Sequence, residues 1–232
     1  MQMTSHVCCS ITGATFPTTY RKILFFVELP KIPKLDLGFA ISIGSSDADA
    51  NLQKIKDTMK SIIDRYGKSD IRYSFILFGD EPFERVSFAE SQRYTVATLK
   101  DRINRFTRIS GAALDKTLEE AKEIFERTAR PDAKKVLVVI MDQTQSSGRE
   151  STKRKAKELQ ISGVKVVPVV LGEEGNKVEL EEITRHKNNL VEMEKDENEE
   201  KAAEKIMIKV LEGNLTCSKF VILRIQFNHV QT

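Results

Sequence analysis

The chain has 232 residues, 40% hydrophobic and 31% charged, and its longest apolar run is six residues. A membrane-crossing helix needs roughly 20, so the sequence contains no candidate for one. Lys and Arg outnumber Asp and Glu by 37 to 34, but residues 1–34 and 213–232 hold six basic groups and one acidic group. Subtracting these leaves 31 basic against 33 acidic groups in residues 35–212, so the surplus sits at the ends and gives no support to a nucleic-acid partner.

The cysteines follow the same partition. Cys8, Cys9 and Cys217 all lie outside the middle segment, which excludes a disulfide-stapled small domain. A terminal bridge from Cys217 to Cys8 or Cys9 is the disulfide candidate. A secretory leader is not expected at the start, because the first basic residue is Arg21 and the apolar run after it is broken by Glu28. Localisation outside the cell is therefore expected only if this chain belongs to a longer secreted protein.

Residues 1–34, with Pro17, Pro30 and Pro33 and no sustained periodicity, read as an irregular N-terminal segment. Residues 35–43 (LDLGFAISI) have the density of a strand buried on both faces. Asp47 and Asp49 offer side-chain oxygens to cap a helix that carries Leu52, Ile55, Met59, Ile62 and Ile63 on one face and stops at Gly67. Residues 71–78 (IRYSFILF) predict a second strand. Residues 83–88 (FERVSF) alternate like an edge strand, joined to it by a turn at Asp80, Glu81 and Pro82.

Two helices follow, over residues 95–106 and 111–127. Residues 136–141 (VLVVIM) are the most apolar segment and predict a central strand. A basic helix over 151–159, a strand over 164–171 and a short helix over 178–184 come next. A strand through Leu190 and Val191 and a helix over 198–211 complete the pattern. Strands that alternate with helices require parallel pairing with crossovers, so residues 35–212 predict one doubly wound α/β domain with helices on both faces of the sheet. In the C-terminal tail, 213–232, residues 220–227 (FVILRIQF) are strand-like, and three readings stand open: an added edge strand, an interface piece, or non-native sequence from a misplaced gene boundary.

Enzyme chemistry finds little support. The turn after the first strand holds a single glycine, Gly44, so it is neither a dinucleotide fingerprint nor a phosphate loop. His6, His186 and His229 are widely separated, and neither a catalytic triad nor a zinc cluster can be composed from them. Arg149, Lys153, Arg154, Lys155 and Lys157 form a basic cluster expected to be a solvated helix face. Asn214-Leu215-Thr216 is a glycosylation candidate at Asn214, relevant only outside the cell.

Open α/β sheets bind ligands beyond the carboxyl ends of their strands, which directs attention to residues after Ile43, around Gly111 and after Met141. The segments LDLGFAIS, NLQKIKDTMKSIIDRYG, IRYSFILFG, SGAALDKTLEEAKEIF, KKVLVVIMD and GVKVVPVVLG, in this order and spacing, resemble the von Willebrand factor A domain, the fold also found as the inserted domain of integrins. The resemblance implies a six-stranded sheet, mostly parallel, with the third strand antiparallel at an edge. It also implies a protein-binding role and, in many members, a metal-ion-dependent adhesion site.

That site takes Asp-x-Ser-x-Ser from the first loop, a Thr from a later loop and an Asp from a strand end. By position these fall on Ser42, Gly44, Ser46, Ala112 and Asp142, so only Ser46 and Asp142 match. One carboxylate and one hydroxyl are too few hard ligands for Mg²⁺, and no cofactor is expected. Asp142 is instead expected to accept backbone N–H groups in the loop 143–148. The implied role is a non-enzymatic, adhesive or matrix-related module that binds a protein at a matrix or cell surface without metal. Its loops 44–49, 107–114 and 142–150 would present Ser45, Ser46, Asp47, Ser110, Asp142 and Gln143. The alternative is an intracellular scaffold domain of the same fold.

Overall fold

The structure, a computed structural model, describes residues 33–212 except positions 46, 110, 144–147, 172, 173 and 195, and the side chains of 83–85 and 174–176. The elements in chain order are β1 (Leu35–Ser42), α1 (Ala48–Tyr66), β2 (Ile71–Phe78), β3 (Pro82–Val86), α2 (Phe88–Arg93), α3 (Val96–Asn104) and α4 (Leu114–Thr128). They continue with β4 (Lys134–Met141), α5 (Arg149–Ile161), β5 (Val164–Leu171), α6 (Glu174–Glu182), β6 (Val191–Met193) and α7 (Glu199–Leu211). The six strands form one sheet in the order β3-β2-β1-β4-β5-β6. Every pair is parallel except β2–β3, whose short connection leaves no room for a crossover helix.

Alternation along each strand sends side chains to two separate cores. Leu35, Leu37, Phe39 and Ile41 of β1 pack with α1, α3 and α7, while Ala40 joins the α4 and α5 side. All eight residues of β1 are buried, which is why the strand reads as an apolar run rather than an alternator. Each fully buried Leu, Ile, Val or Phe contributes about 1.5–3 kcal/mol.

Several boundaries differ from expectation for local reasons. β3 ends at Val86, and residues 87–88 begin a helix instead of finishing the strand. Ser87 and Glu90 form a reciprocal cap, with the Ser87 N–H donating to Glu90 Oε2 at 2.7 Å and the Glu90 N–H to Ser87 Oγ at 3.3 Å. Phe88 is then buried against Phe125, ring centroids 4.9 Å apart. α4 starts at Leu114 rather than Gly111. α5 spans more than 151–159, and α6 overlaps the expected 178–184 but starts at Glu174 and ends at Glu182. Asp47 does occupy the N-cap of α1 but makes no side-chain cap bond, and Asp49 sits in the first turn, where its charge suits the helix dipole. In the basic cluster on α5, Arg149 and Lys153 pair with Glu182, and Lys155 with Glu119.

The amino ends of the strands are closed by buried polar contacts. Asp36 is fully buried, and Arg130 donates to its carboxylate through Nε at 2.9 Å and to the carbonyls of Leu35 and Asp70 through Nη2 at 2.8 and 2.9 Å. One guanidinium thus joins β1, the turn before β2 and the α4–β4 connection. Removing either partner would leave a buried charge uncompensated. Lys134 Nζ donates to the carbonyl of Glu212 at 2.9 Å and Lys165 Nζ to that of Lys209 at 2.5 Å, so two half-buried ammonium groups satisfy the end of α7.

Burial, reinforced by the nearby Lys165 charge, lowers the Lys134 pKa to about 8 from 10.5. The folded state therefore releases this proton before the unfolded state does. The cost of holding the charged form is full below pH 8 and fades as the pH rises toward 10.5. Urea denaturation of wild type and Lys134→Met at neutral pH and near pH 10 should show wild type gaining on the variant at the higher pH. A difference that does not change with pH would contradict the assignment.

Candidate functional site

Strand order reverses between β1 and β4: β2 and β3 build outward on one side, β5 and β6 on the other. Such a reversal splays the connections apart and opens a crevice at the carboxyl ends. Ser42 at the end of β1 is in register with Met141 at the end of β4, so the β1–α1 and β4–α5 loops start side by side. The α3–α4 loop closes over them. Its Ile109 N–H donates to the Ile43 carbonyl at 2.9 Å, and its Ala113 N–H to that of Gly79 at 2.7 Å.

Asp142 is 6% exposed and gathers donors from across the crevice. Its Oδ1 accepts the backbone N–H groups of Gly44 at 2.8 Å and Ser45 at 3.2 Å, and its Oδ2 accepts Ser45 Oγ at 2.6 Å and Asn51 Nδ2 at 3.0 Å. It accepts backbone N–H groups as expected in kind, from the β1–α1 turn, while most of loop 143–148, where donors were expected, lies outside the described residues. The reason is topological. A turn leaving a central strand has no neighbouring ladder, and its N–H groups need an acceptor that the adjacent strand end supplies.

Gln143 works in the opposite sense. Its Nε2 donates to the Gly111 carbonyl at 2.6 Å and to Ser42 Oγ at 2.8 Å, and lies 3.5 Å from the Ile109 carbonyl. Ser42 Oγ donates in turn to the Gly111 carbonyl at 3.0 Å. Two glycines permit this closure. A Cβ on Gly44 would lie 2.6 Å from Gln143 Oε1 and 2.5 Å from the Ile109 carbonyl oxygen. Gly111 has φ +87°, and a Cβ there would lie 2.3 Å from Asp80 Oδ1.

The residues present do not fit a hard divalent cation. Gly44 and Ala112 bring no side-chain oxygen, and Ala112 is fully buried. Both Asp142 oxygens are already engaged, and Ser42 Oγ is used as donor and acceptor. The positive end of the Gln143 amide dipole faces the oxygens that remain. Mg²⁺ would require roughly six oxygens in octahedral array.

Among the candidate contact residues, Asp47 is exposed, Ser45 is half-buried in the Asp142 network, and Gln143 is turned inward. Ser46, Ser110, Asn214, Cys8, Cys9 and Cys217 lie outside the described residues. Asn51 went unnoticed in the sequence, because an asparagine on the first turns of a helix looks like any solvated polar residue.

Residues 36–206 match the family model described as the von Willebrand factor type A domain. The chain belongs to this family. Domains of the von Willebrand A type generally mediate protein–protein or adhesive contacts. The collagen alpha-4(VI) chain of Mus musculus is 26% identical over 159 residues, covering 67% of this chain and 7% of its own length. This chain therefore spans only a small part of that relative.

Proximal thread matrix protein 1 of the mussel byssus, solved with a zinc-occupied metal-ion-dependent adhesion site, superposes with TM-score 0.63 at 19% identity. The match covers 77% of this chain and 47% of that one. Manganese-loaded TRAP protein of Plasmodium vivax superposes with TM-score 0.62 at 15% identity, over 76% and 73% of the two chains. At these identities the likeness shows the fold.

Replacing Gln143 with Ala should lower the unfolding free energy by about 1–3 kcal/mol, because buried acceptors lose their donor. Gly44→Ala should cost a similar amount through overpacking. In urea denaturation the double variant should lose less than the sum, since removing the amide frees part of the space the new methyl needs. Strict additivity would show that the two positions are not in contact.

Proposed function

We propose that this domain is a non-enzymatic, adhesive or matrix-related interaction module that binds a protein partner through its carboxyl-edge loops without a metal ion. The observation that carries this is the Gln143 amide, which joins the end of β1 and the α3–α4 loop with hydrogen bonds at a crevice where two of the five implied metal-ligand positions match. Matrix association is supported by the collagen VI and mussel-thread relatives, and with it a place outside the cell as part of a longer protein. The non-enzymatic part rests on the family's general role and on the site chemistry. His186, the one histidine among the described residues, is exposed in a loop remote in sequence from the crevice.

The contact surface is the rim formed by loops 44–49, 107–114 and 142–150. Asp47, Thr107, Arg108, Arg149 and Glu150 are exposed on these loops. Ser45, Ser46 and Ser110 complete the rim in this proposal, while Asp142 and Gln143 hold it from beneath.

Surface plasmon resonance on immobilised triple-helical collagen, fibronectin and laminin tests the proposal. Binding to at least one should be equal in EDTA and in Mg²⁺. The double variant Asp47→Lys, Arg108→Glu should weaken it by about tenfold, about 1.4 kcal/mol. Binding abolished by EDTA would refute the metal-free mode, an unchanged affinity in the double variant would refute the rim, and no binding to any of the three would refute the matrix assignment.

A further inference from the structure

The two ends of the sheet carry opposite charge. The segments that enter the five parallel strands, 33–36, 67–72, 129–135, 162–165 and 183–192, hold nine basic and four acidic residues. The connections at the carboxyl ends, 43–47, 79–81, 105–113, 142–148, 172–173 and 194–198, hold three basic and eight acidic ones. Part of this polarity complements the helix dipoles, whose negative ends lie on the amino side of the sheet. Lys68 donates to the carbonyls of Gln92 and Tyr94 at the end of α2, and Lys134 and Lys165 hold the end of α7.

Helix ends do not account for Arg72 and Lys135, which are strand residues. Both are in register with Asp36, Arg72 on β2 and Lys135 on β4. The three side chains therefore form one row, on the face of the sheet that continues through Ala40, Ile76 and Val139 into the α4–α5 core. Arg130 joins the row by its bond to Asp36. Beside it lies a cavity of about 290 Å³ lined by Lys68, Ser69, Ile71, Arg72, Gln92 and Arg130. The acids at this place are Asp36, which is buried, and Asp70, whose Oδ2 is 3.5 Å from Ser69 Oγ. Against them stand Lys68, Arg72, Arg130 and Lys135, an excess of two positive charges. Lys68, Arg72 and Lys135 are half-buried, so salt and water screen them less than free surface cations. The carbonyls that hold Lys68 and Arg130 orient these groups without cancelling their charge, which reduces the ordering cost of binding an anion.

We propose that this amino-end surface binds a sulfated polysaccharide, with one sulfate group in the cavity against Lys68 and Arg72 and another beside Lys135. Two strand spacings put Arg72 and Lys135 about 10 Å apart, which suits a chain that repeats its anionic groups and is too wide for a single sulfate to bridge. The acidic connections at the carboxyl ends repel a polyanion and direct it to the opposite end. The choice of a polysaccharide over a nucleic acid rests on the matrix-related reading above. The surface itself does not, since it lies at the other end of the sheet from the rim.

Surface plasmon resonance of the full 232-residue chain on immobilised heparin tests this, beside desulfated heparin and polyuridylate. Heparin should bind, and its affinity should fall about tenfold or more between about 50 and 300 mM NaCl. The double variant Arg72→Gln, Lys135→Gln should weaken binding about tenfold, while the rim variant Asp47→Lys, Arg108→Glu binds heparin as wild type does. Circular dichroism checks that the Arg72, Lys135 variant is folded. If it is not, lysine acetylation of the wild-type chain read by mass spectrometry serves: heparin should slow modification of Lys135 about threefold and leave Lys116, at the carboxyl end, unchanged. No binding to heparin, equal binding to its desulfated form, unchanged affinity in the folded variant or an unprotected Lys135 would overturn the proposal. Tighter binding to polyuridylate would overturn it too, by assigning the surface to a nucleic acid. Heparin binding retained alongside failure on all three matrix proteins would count against the rim alone.

Discussion

The carboxylate of Asp142 is the interaction on which the carboxyl end of this domain depends. It sits at the end of β4, beside the end of β1, and accepts two backbone N–H groups, a hydroxyl and an amide from the turn and helix that follow β1. A buried carboxylate without donors would be costly to keep ionised, and four donors satisfy its capacity. The arrangement also needs the register in which Ser42 pairs with Met141. Sheet register, the path of the β1–α1 turn and the start of α1 are thus set by one side chain.

Gln143, the next residue, supplies the complementary half. Asp142 satisfies donors of the β1–α1 turn, and Gln143 satisfies acceptors from β1 and the α3–α4 loop, Ser42 Oγ and the Gly111 carbonyl. In a cation site, an ion gathers oxygens and keeps a position open for a partner's carboxylate. An amide nitrogen also gathers oxygens, but it has two protons, a fixed covalent tether and no exchangeable position. Loops held this way present a preformed surface. In the proposed mode an acidic partner group has no ion to complete, and recognition falls to the exposed side chains around the rim.

Much of the fold was legible because its strands are buried on both faces. The runs at 35–43, 71–78, 136–141 and 164–171 show directly, and the amphipathic face of α1 is explicit in Leu52, Ile55, Met59, Ile62 and Ile63. α2 was hidden by a conflict of signals. FERVSF alternates like a strand, yet Ser87 and Glu90 have the spacing of a capping box, and that box together with the burial of Phe88 prevails. The candidate site was legible as a set of missing ligands, not as the network that replaces them. Its bonds join residues 32 to 101 positions apart, and no local pattern distinguishes a glutamine that points inward from one that faces solvent.

The two ends of the sheet solve the same problem differently, and the contrast bears on where this domain can change. At the amino ends, Asp36 and Arg130 bury a charge pair that contacts three backbone segments, and Lys134 and Lys165 occupy the last carbonyls of α7. Every one of those groups serves the fold. At the carboxyl ends, Asp142, Gln143, Ser42, Ser45 and Asn51 are joined by hydrogen bonds among themselves and to the loop backbone, while Asp47 and Arg108 are exposed. A mutation at Asp47 or Arg108 therefore acts on an exposed side chain, whereas a mutation at Asp36 strands a buried guanidinium. If the rim is the contact surface proposed above, it can change toward a partner while the layer beneath, built on Asp142 and Gln143, goes on holding the loops.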